Sequence, residues 1–282
     1  MSRRHDVVVV GAGLFGSTIA RELRRIGQDV LVIDSQHPLR GSRPAACLMK
    51  PSWLTSVSKE DQRRAMTVLE RHHEVRTIPF ALGLGRTADV LWIDPQTIIG
   101  GGRQVRFTEV LHIAGSPSGW HTTTRDGTFS SRRVVVAAGA WTAPLLNVRH
   151  DLVEAQAGVA HLWRDAGTSP AIRLWAPYRQ LVRFNRGDGA WVGDGTALRP
   201  STLDNARRQK SLDRCRGFLC EAADPHPVSL PEALEGWRPY VETSAPCWVG
   251  EVRPGLWGAT GGAKNGTLAA GWAAHIIVGS WS

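Results

Sequence analysis

Lysine is scarce in this 282-residue chain, with Lys50, Lys59, Lys210 and Lys264 the whole complement. Cysteine is equally thin: Cys47, Cys215, Cys220 and Cys247 form no Cys-x-x-Cys pair and sit in no histidine-rich frame. That spacing argues against a disulfide scaffold or a zinc site and leaves reduced thiols as the expectation. No apolar run reaches the 18 or so residues that a membrane-spanning helix needs. Met1–His5 passes straight into Asp6–Val10 without an apolar leader or cleavage site, so a cytoplasmic location is expected.

Acidic residues are also outnumbered, 25 against 34 basic ones, giving a net charge of +9. The excess is uneven. Between Arg199 and Arg216 six basic side chains face only Asp204 and Asp213, and Tyr178–Arg186 adds Arg179, Arg183 and Arg186 with no acid. A basic surface of this kind suits a polyanion, and Arg179, Arg183, Arg207, Arg208 and Arg214 are candidate contacts to DNA or RNA phosphates. The alternative is a coding bias that writes arginine for lysine.

At 42% apolar the chain is that of a globular protein large enough to bury a substantial core. An α/β rhythm runs along it. Asp6–Val10 reads as a buried strand, Leu14–Ile26 as a helix and Asp29–Ile33 as a second strand. A polar helix is expected from Ser58 to about Val75. There His72 and His73 have no metal-ligand companions and are expected to be solvated. Asp89–Asp94, Thr108–Ile113, Trp120–Thr124 and the segment from Arg132 read as strands, and Val134–Val136 is apolar on both faces, as a buried parallel strand should be. Leu152–Trp191 alternates short strands with turns, "NRGDG" being a hairpin signal. Ser201–Glu221 and Gly266–Val278 read as helices. Parallel elements at both ends around an antiparallel insert imply an α/β nucleotide-binding domain interrupted by a substrate domain. Its expected parts are 1–75, 105–149 and 248–282, with 76–104 and 150–247 as the substrate domain.

The sharpest local signal is Gly11-x-Gly13-x-x-Gly16, which follows a strand and opens a helix. Gly11 permits the tight turn, Gly13 lets backbone approach a pyrophosphate, and Gly16 allows close helix–strand packing. The helix N-terminus, with Leu14 and Phe15, then offers unpaired N–H groups to the phosphates. Asp34, 23 residues past Gly11 and followed by Ser35, stands where a carboxylate accepts from ribose hydroxyls. NAD and FAD both satisfy this pattern.

Three further segments decide between them: Gly41–Trp53 ("GSRPAACLMKPSW"), Val134–Leu146 ("VVVAAGAWTAPLL") and Gly255–Gly266 ("GLWGATGGAKNG"). In content and order they resemble the D-amino acid oxidase and glycine oxidase family of flavoenzymes. The resemblance implies a glutathione-reductase-type, Rossmann-like FAD-binding domain with a smaller, mainly antiparallel β-sheet domain, and non-covalent FAD. It makes Gly41, Ser42, Arg43, Ala46, Cys47, Leu48, Val110, Ala138, Gly139 and Trp141 cofactor contacts. Gly261, Gly262, Ala263, Lys264, Asn265, Gly266 and Thr267 join them. Ser42 and Arg43 suit pyrophosphate or ribityl oxygens. The turn before the last helix, with Lys264, suits the negative N1–C2=O edge of a reduced flavin. Between Trp53 and Asp89 the chain is shorter than such relatives, which implies a more open site.

The same resemblance makes Arg238, in "EGWRPYVETSAPCWVG", the group that grips a substrate carboxylate through a two-bond fork. The plainer role is an ion pair with Glu242. Tyr178 and Gln180 fall where relatives carry active-site polar residues, and Lys264 could also orient dioxygen. The implied reaction is oxidation at a carbon bearing an amine, with hydride passing to flavin N5 and hydrolysis of the imine. A glycine-type amine carried on a nucleic-acid base is favoured by the +9 charge. A free small amino acid (glycine, sarcosine or a D-amino acid) is the alternative, and a non-catalytic flavin-binding module the third reading.

Overall fold

A computed structural model describes residues 4–83, 86–99, 105–116, 119–148, 152–164, 172–174, 182–185, 189–193, 204–221 and 229–281. The chain opens with β1 (Arg4–Val10), α1 (Leu14–Arg25) and β2 (Val30–Asp34). A two-residue strand, β3 (Leu48–Met49), precedes α2 (Lys59–His72), whose Ser58 cap accepts from the Asp61 amide. β4 (Arg76–Gly83), β5 (Arg86–Trp92), the short α3 (Pro95–Ile98) and β6 (Val105–Phe107) follow. β7 (Val110–Ser116), β8 (Gly119–Thr124) and β9 (Gly127–Val136) form a meander that leads into α4 (Thr142–Leu146). Next come β10 (Glu154–Trp163), β11 (Ile172–Leu174), β12 (Val182–Asn185), β13 (Ala190–Gly193), α5 (Asn205–Glu221) and β14 (Glu232–Tyr240). β15 (Trp248–Arg253), β16 (Leu256–Thr260) and α6 (Gly266–Gly279) close the described chain.

These strands make two sheets. The first runs β15-β16-β9-β1-β2-β6, with β8 and β7 continuing from β9. Its members β16, β9, β1, β2 and β6 are mutually parallel. The second runs β14-β10-β13-β12-β11-β4-β5-β3 and is antiparallel except where β11 meets β4. The β12–β13 pairing, with Asn185 opposite Ala190, is the hairpin expected from "NRGDG". The class is therefore α/β, a parallel nucleotide-binding sheet beside a mainly antiparallel one, as the sequence implies. Strands of the first sheet come from 4–34, 105–136 and 248–260; those of the second from 48–49, 76–92, 154–193 and 232–240.

The first sheet is central because β1 is apolar on both faces. Val7, Val8 and Val9 are fully buried, and so are Val134–Val136 on β9. Helices α1, α2 and α6 cover one side. α6 can approach closely because it is made of small residues: a Cβ at Gly271 would strike the Ala65 carbonyl of α2. Here the structure corrects one expectation. His72 and His73 are not solvated. Glu22 of α1 is only 2% exposed and accepts from Arg71 at 2.8 and 2.9 Å, Arg25 at 3.0 Å and His72 at 2.6 Å. Burial opposes ionisation of Glu22, but those bonds outweigh it and hold the carboxyl below its ordinary value. His73 is buried against Arg21, and burial first, then repulsion from Arg21 and His72, pushes its pKa down to about 4. A helix that looks polar on its own is thus anchored by an acid on its neighbour.

Candidate active site

A cavity of about 670 Å³ opens along the C-terminal ends of β1 and β2 and reaches the face of the second sheet. Such a volume is ordinary for a small-molecule or cofactor site. Its first wall is the glycine loop. Gly11 has a φ of +104°, and a Cβ there would strike the Ala137 carbonyl. A Cβ on Gly16 would strike the Gly11 carbonyl, so Gly16 serves helix–strand packing and lies off the wall. Gly13, Leu14 and Phe15 do line it. The Leu14 N–H, an otherwise open donor of the helix terminus, donates to Ser42 Oγ at 3.0 Å.

Asp34 ends β2 at the rim. Its two carboxylate oxygens accept from the Ala12 and Gln36 amides, each at 2.6 Å, and Arg40 Nη1 stands 3.9 Å away. One acid thereby fixes the glycine loop and the chain that leaves β2. Ser35, Gly41, Ser42, Ala46, Cys47, Leu48 and Val110 line the next stretch. Cys47, buried on the wall, carries a φ of +52°, a strained value for any residue but glycine. Ala138, Gly139 and Trp141 line the cavity beyond the end of β9, steadied by Thr260 Oγ1 donating to the Gly139 carbonyl at 2.8 Å. Gly261, Ala263, Asn265, Gly266 and Thr267 supply the turn into α6. Gly262 faces inward, where a Cβ would sit 3.0 Å from that of Ala269.

Arg43 departs from the expected phosphate contact. It is off the cavity wall, and its Nη2 pairs with Glu232 at 3.1 Å. The backbone turns between residues 42 and 43, and a carboxylate on β14 lies within reach of the outward side chain. Lys264 falls in the short turn Ala263–Asn265. Tyr178, Gln180 and Arg179 lie outside the described residues, and Arg183 is on β12.

Arg238 is on the wall. On β14 it stands opposite Gln156 of β10, and Gly236 stands opposite Gly158. The Arg238 guanidinium lies over Gly158, with Nη2 3.8 Å from where a Cβ would be. Burial alone lowers the Arg238 pKa from its usual value; among the described residues no carboxylate pairs with it, Glu242 included. An arginine desolvated in a cavity without a counter-charge is a site for an anion from outside.

Sequence reasoning missed several wall residues. Trp237 stacks on Trp141 with ring centroids 5.4 Å apart, and His37 lies 4.4 Å from Trp141. Trp53, 37% exposed at the mouth, is held through its carbonyl by Asn265 Nδ2 at 3.1 Å. Trp191 of β13 lines the far end. The neighbouring motifs were the available signal: Trp237 precedes Arg238, and His37 follows Asp34 by three residues.

The family described as FAD dependent oxidoreductase matches residues 6–77 and 98–279. The chain belongs to that family. FAD is its cofactor, as the four glycine-rich and small-residue segments imply. A glycine oxidase of Geobacillus kaustophilus (strain HTA426) is 30% identical over 177 residues, covering 57% of this chain and 44% of that protein. The match thus spans under half the length of that relative. Iminodiacetate oxidase from Chelativorans sp. BNC1 has the same fold, with a TM-score of 0.71 at 18% identity over 97% of this chain and 94% of that one. L-proline dehydrogenase from P. horikoshii also scores 0.71, at 14% identity over 99% and 95%. The cavity fits the cofactor of this family on its own features. Glycines leave one wall bare of side chains, the first turn of α1 adjoins it through Gly13, Leu14 and Phe15, and Asp34 lines it at the end of β2.

Proposed function

We propose that this protein is an FAD-dependent oxidoreductase that oxidises the C–N bond of a glycine-type amine, held by its carboxylate on Arg238. The carrying observation is the part-buried, uncompensated guanidinium on the cavity wall. Gly11, Gly13, Leu14 and Ser42 would hold the pyrophosphate and Asp34 the adenosine ribose. Ala46–Leu48 and Gly261–Thr267 would hold the flavin ring. FAD, when bound, supplies the acceptor for the hydride removed from Cα.

The chain's own part is positioning. The Arg238 fork fixes the carboxylate in two bonds and hence the orientation of Cα. Apolar side chains at Ala46, Leu48 and Trp191 line another stretch of the same cavity. The amine reacts as the neutral base, its proton going to solvent, and water hydrolyses the imine to the carbonyl product and the amine. Among the described residues no acid–base dyad faces Arg238, and none is required.

A glycine unit carried on a nucleic-acid base is the finer reading, favoured by the net charge of +9. Two of its arginines are engaged within the chain: Arg207 with Asp204 at 3.7 Å, and Arg208 with Glu235 at 2.6 and 3.1 Å. Free glycine or sarcosine is the competing substrate. Arg238→Ala tests the core of the proposal. It should retain FAD but lose a contact worth about 1.5–3 kcal/mol, roughly 10- to 150-fold in kcat/KM for a carboxylate-bearing amine. Unchanged kinetics would return Arg238 to a structural role. Mass analysis of nucleosides after incubation with modified DNA or tRNA separates the two substrates.

A further inference from the structure

Among the described residues four tryptophans line the cavity: Trp53, Trp141, Trp191 and Trp237. Three of them have their faces covered. Trp141 and Trp237 stack on each other with His37 beside both, and Trp191 is only 6% exposed. Trp53 is 37% exposed, and among the described residues no other ring stacks on it. Its main chain is as fixed as its ring is open. Pro51 starts a short helical turn, Pro51–Trp53, in which the Trp53 N–H donates to the Lys50 carbonyl at 2.8 Å. Leu54, the next residue, is buried in the core, and Gln62 Nε2 of α2 donates to its carbonyl at 2.9 Å. The Trp53 carbonyl accepts from Asn265 Nδ2 at 3.1 Å, in the turn that leads into α6. A large flat apolar side chain is thus presented to the cavity from a backbone anchored on both sides. An indole left uncovered forgoes the burial that so large an apolar surface offers. On an open surface that would need no explanation; on a cavity wall it leaves room for a ring from outside.

We propose that Trp53 is a stacking platform: the amine carries a flat, nucleobase-sized ring beyond its nitrogen, and that ring lies on the indole while Arg238 holds the carboxylate. Trp53 is then the specificity-determining residue for the substituent on the amine and takes no part in the chemistry. The inference rests on Arg238 as the carboxylate anchor and deepens the reading of a base-borne glycine unit. Stacking tolerates any base, since every base has a π-face, so Trp53 selects flat groups over aliphatic ones without reading which base is present.

The test uses the full-length holoenzyme and carboxylates that cannot be oxidised at an amine, their binding followed by perturbation of the flavin spectrum. Acetate reads the anchor alone. Methoxyacetate, benzyloxyacetate and cyclohexylmethoxyacetate are ethers with oxygen in place of the amine nitrogen, and they differ only in the group beyond it. In the wild type benzyloxyacetate should bind roughly 5- to 150-fold more tightly than methoxyacetate, the range of base–aromatic stacking. It should also exceed the cyclohexyl compound by about 2- to 12-fold, which separates a stacked ring from a merely apolar one. Both ratios should fall towards one in Trp53→Ala and persist in Trp53→Phe. Trp53→Leu, apolar but not aromatic, should lose the second ratio and decides the matter if Trp53→Ala does not fold. A wild-type ratio of one in either comparison, or ratios unchanged in Trp53→Ala, overturns the platform. Failure of the anchor looks different: acetate then leaves the wild-type spectrum unmoved, or perturbs that of Arg238→Ala equally, and the platform falls with it.

Discussion

Asp34 and Arg238, both on the cavity wall, are set there in opposite ways. At Asp34 the protein satisfies its own charge: two amides donate to the carboxylate at 2.6 Å, and Arg40 stands by. On β14 Arg238 is desolvated, and among the described residues nothing neutralises it. The first is a finished support that a ligand joins through remaining lone pairs. The second is an unfinished contact that only a ligand completes. Under the proposed function, the difference separates holding a resident cofactor from recognising a substrate that comes and goes.

The comparison can be broken most severely at the glycine loop. Gly11→Val puts a branched side chain at a φ of +104° and against the Ala137 carbonyl, so the purified protein should carry no flavin. Flavin absorbance per chain reads this directly, and a fully yellow variant would refute the assignment of the loop. Asp34→Ala should be milder. It strands the Ala12 and Gln36 amides, each charge-assisted bond being worth about 1.5–3 kcal/mol, and should weaken FAD at least about tenfold. Once reloaded at high FAD, that variant should still show a wild-type acetate perturbation. A lost acetate response would mean that the two residues are not distinct in role.

A smaller effect lies away from both residues. Burial pushes the pKa values of His73 and His161 down to about 4. Folded-state values below the unfolded value of about 6.5 mean that the unfolded chain binds more protons. Stability is therefore level above about pH 6.5 and declines as the pH falls towards 4, by up to about 2 kcal/mol per histidine at pH 5. Urea unfolding at pH 7 and pH 5 measures it, and His73→Gln should remove part of the difference. An identical decline in that variant would place the acid sensitivity elsewhere. The smallest effect is expected at Arg207→Ala, a partly exposed pair with Asp204 worth under about 1 kcal/mol of stability. If Arg207 contacts phosphate, the slope of log affinity for DNA or RNA against log salt should flatten by about 0.7–0.9. An unchanged slope would separate the charge excess from any polymer-borne substrate.

Legibility followed range in the sequence. Gly11-x-Gly13-x-x-Gly16 and the helix after it are local, and α1 ends within one residue of its expected boundary. The pattern carries its own physics. β14 was not legible. "EALEGWRPY" holds a glycine and a proline and reads as no strand, yet pairing with β10 along its length makes it one. Arg238 was found by motif, while its strand, its isolation and its neighbour Trp237 needed the fold. Aromatic residues default to core packing, and only its place beside Arg238 distinguishes Trp237 from the others. His72 and His73 went astray for a related reason, since their partners are Glu22 and Arg21, 50 and 52 residues earlier on another helix. Arg43 shows the limit at the scale of one residue: adjacent polar side chains share a motif but part ways in space.

β3 has a consequence for how such a protein can be taken apart. Its two residues leave the first sheet's stretch of chain to become the outermost strand of the second, pairing with β5 at Leu48–Trp92 and Met49–Leu91. The molecule is sewn rather than hinged at this point. Neither half is a cassette: excising the second sheet for graft or swap would leave its last strand behind, and exchanging the first would take that strand away. Any recombination between relatives must therefore inherit residues 39–49 together with both the glycine loop and β5, or lose the seam.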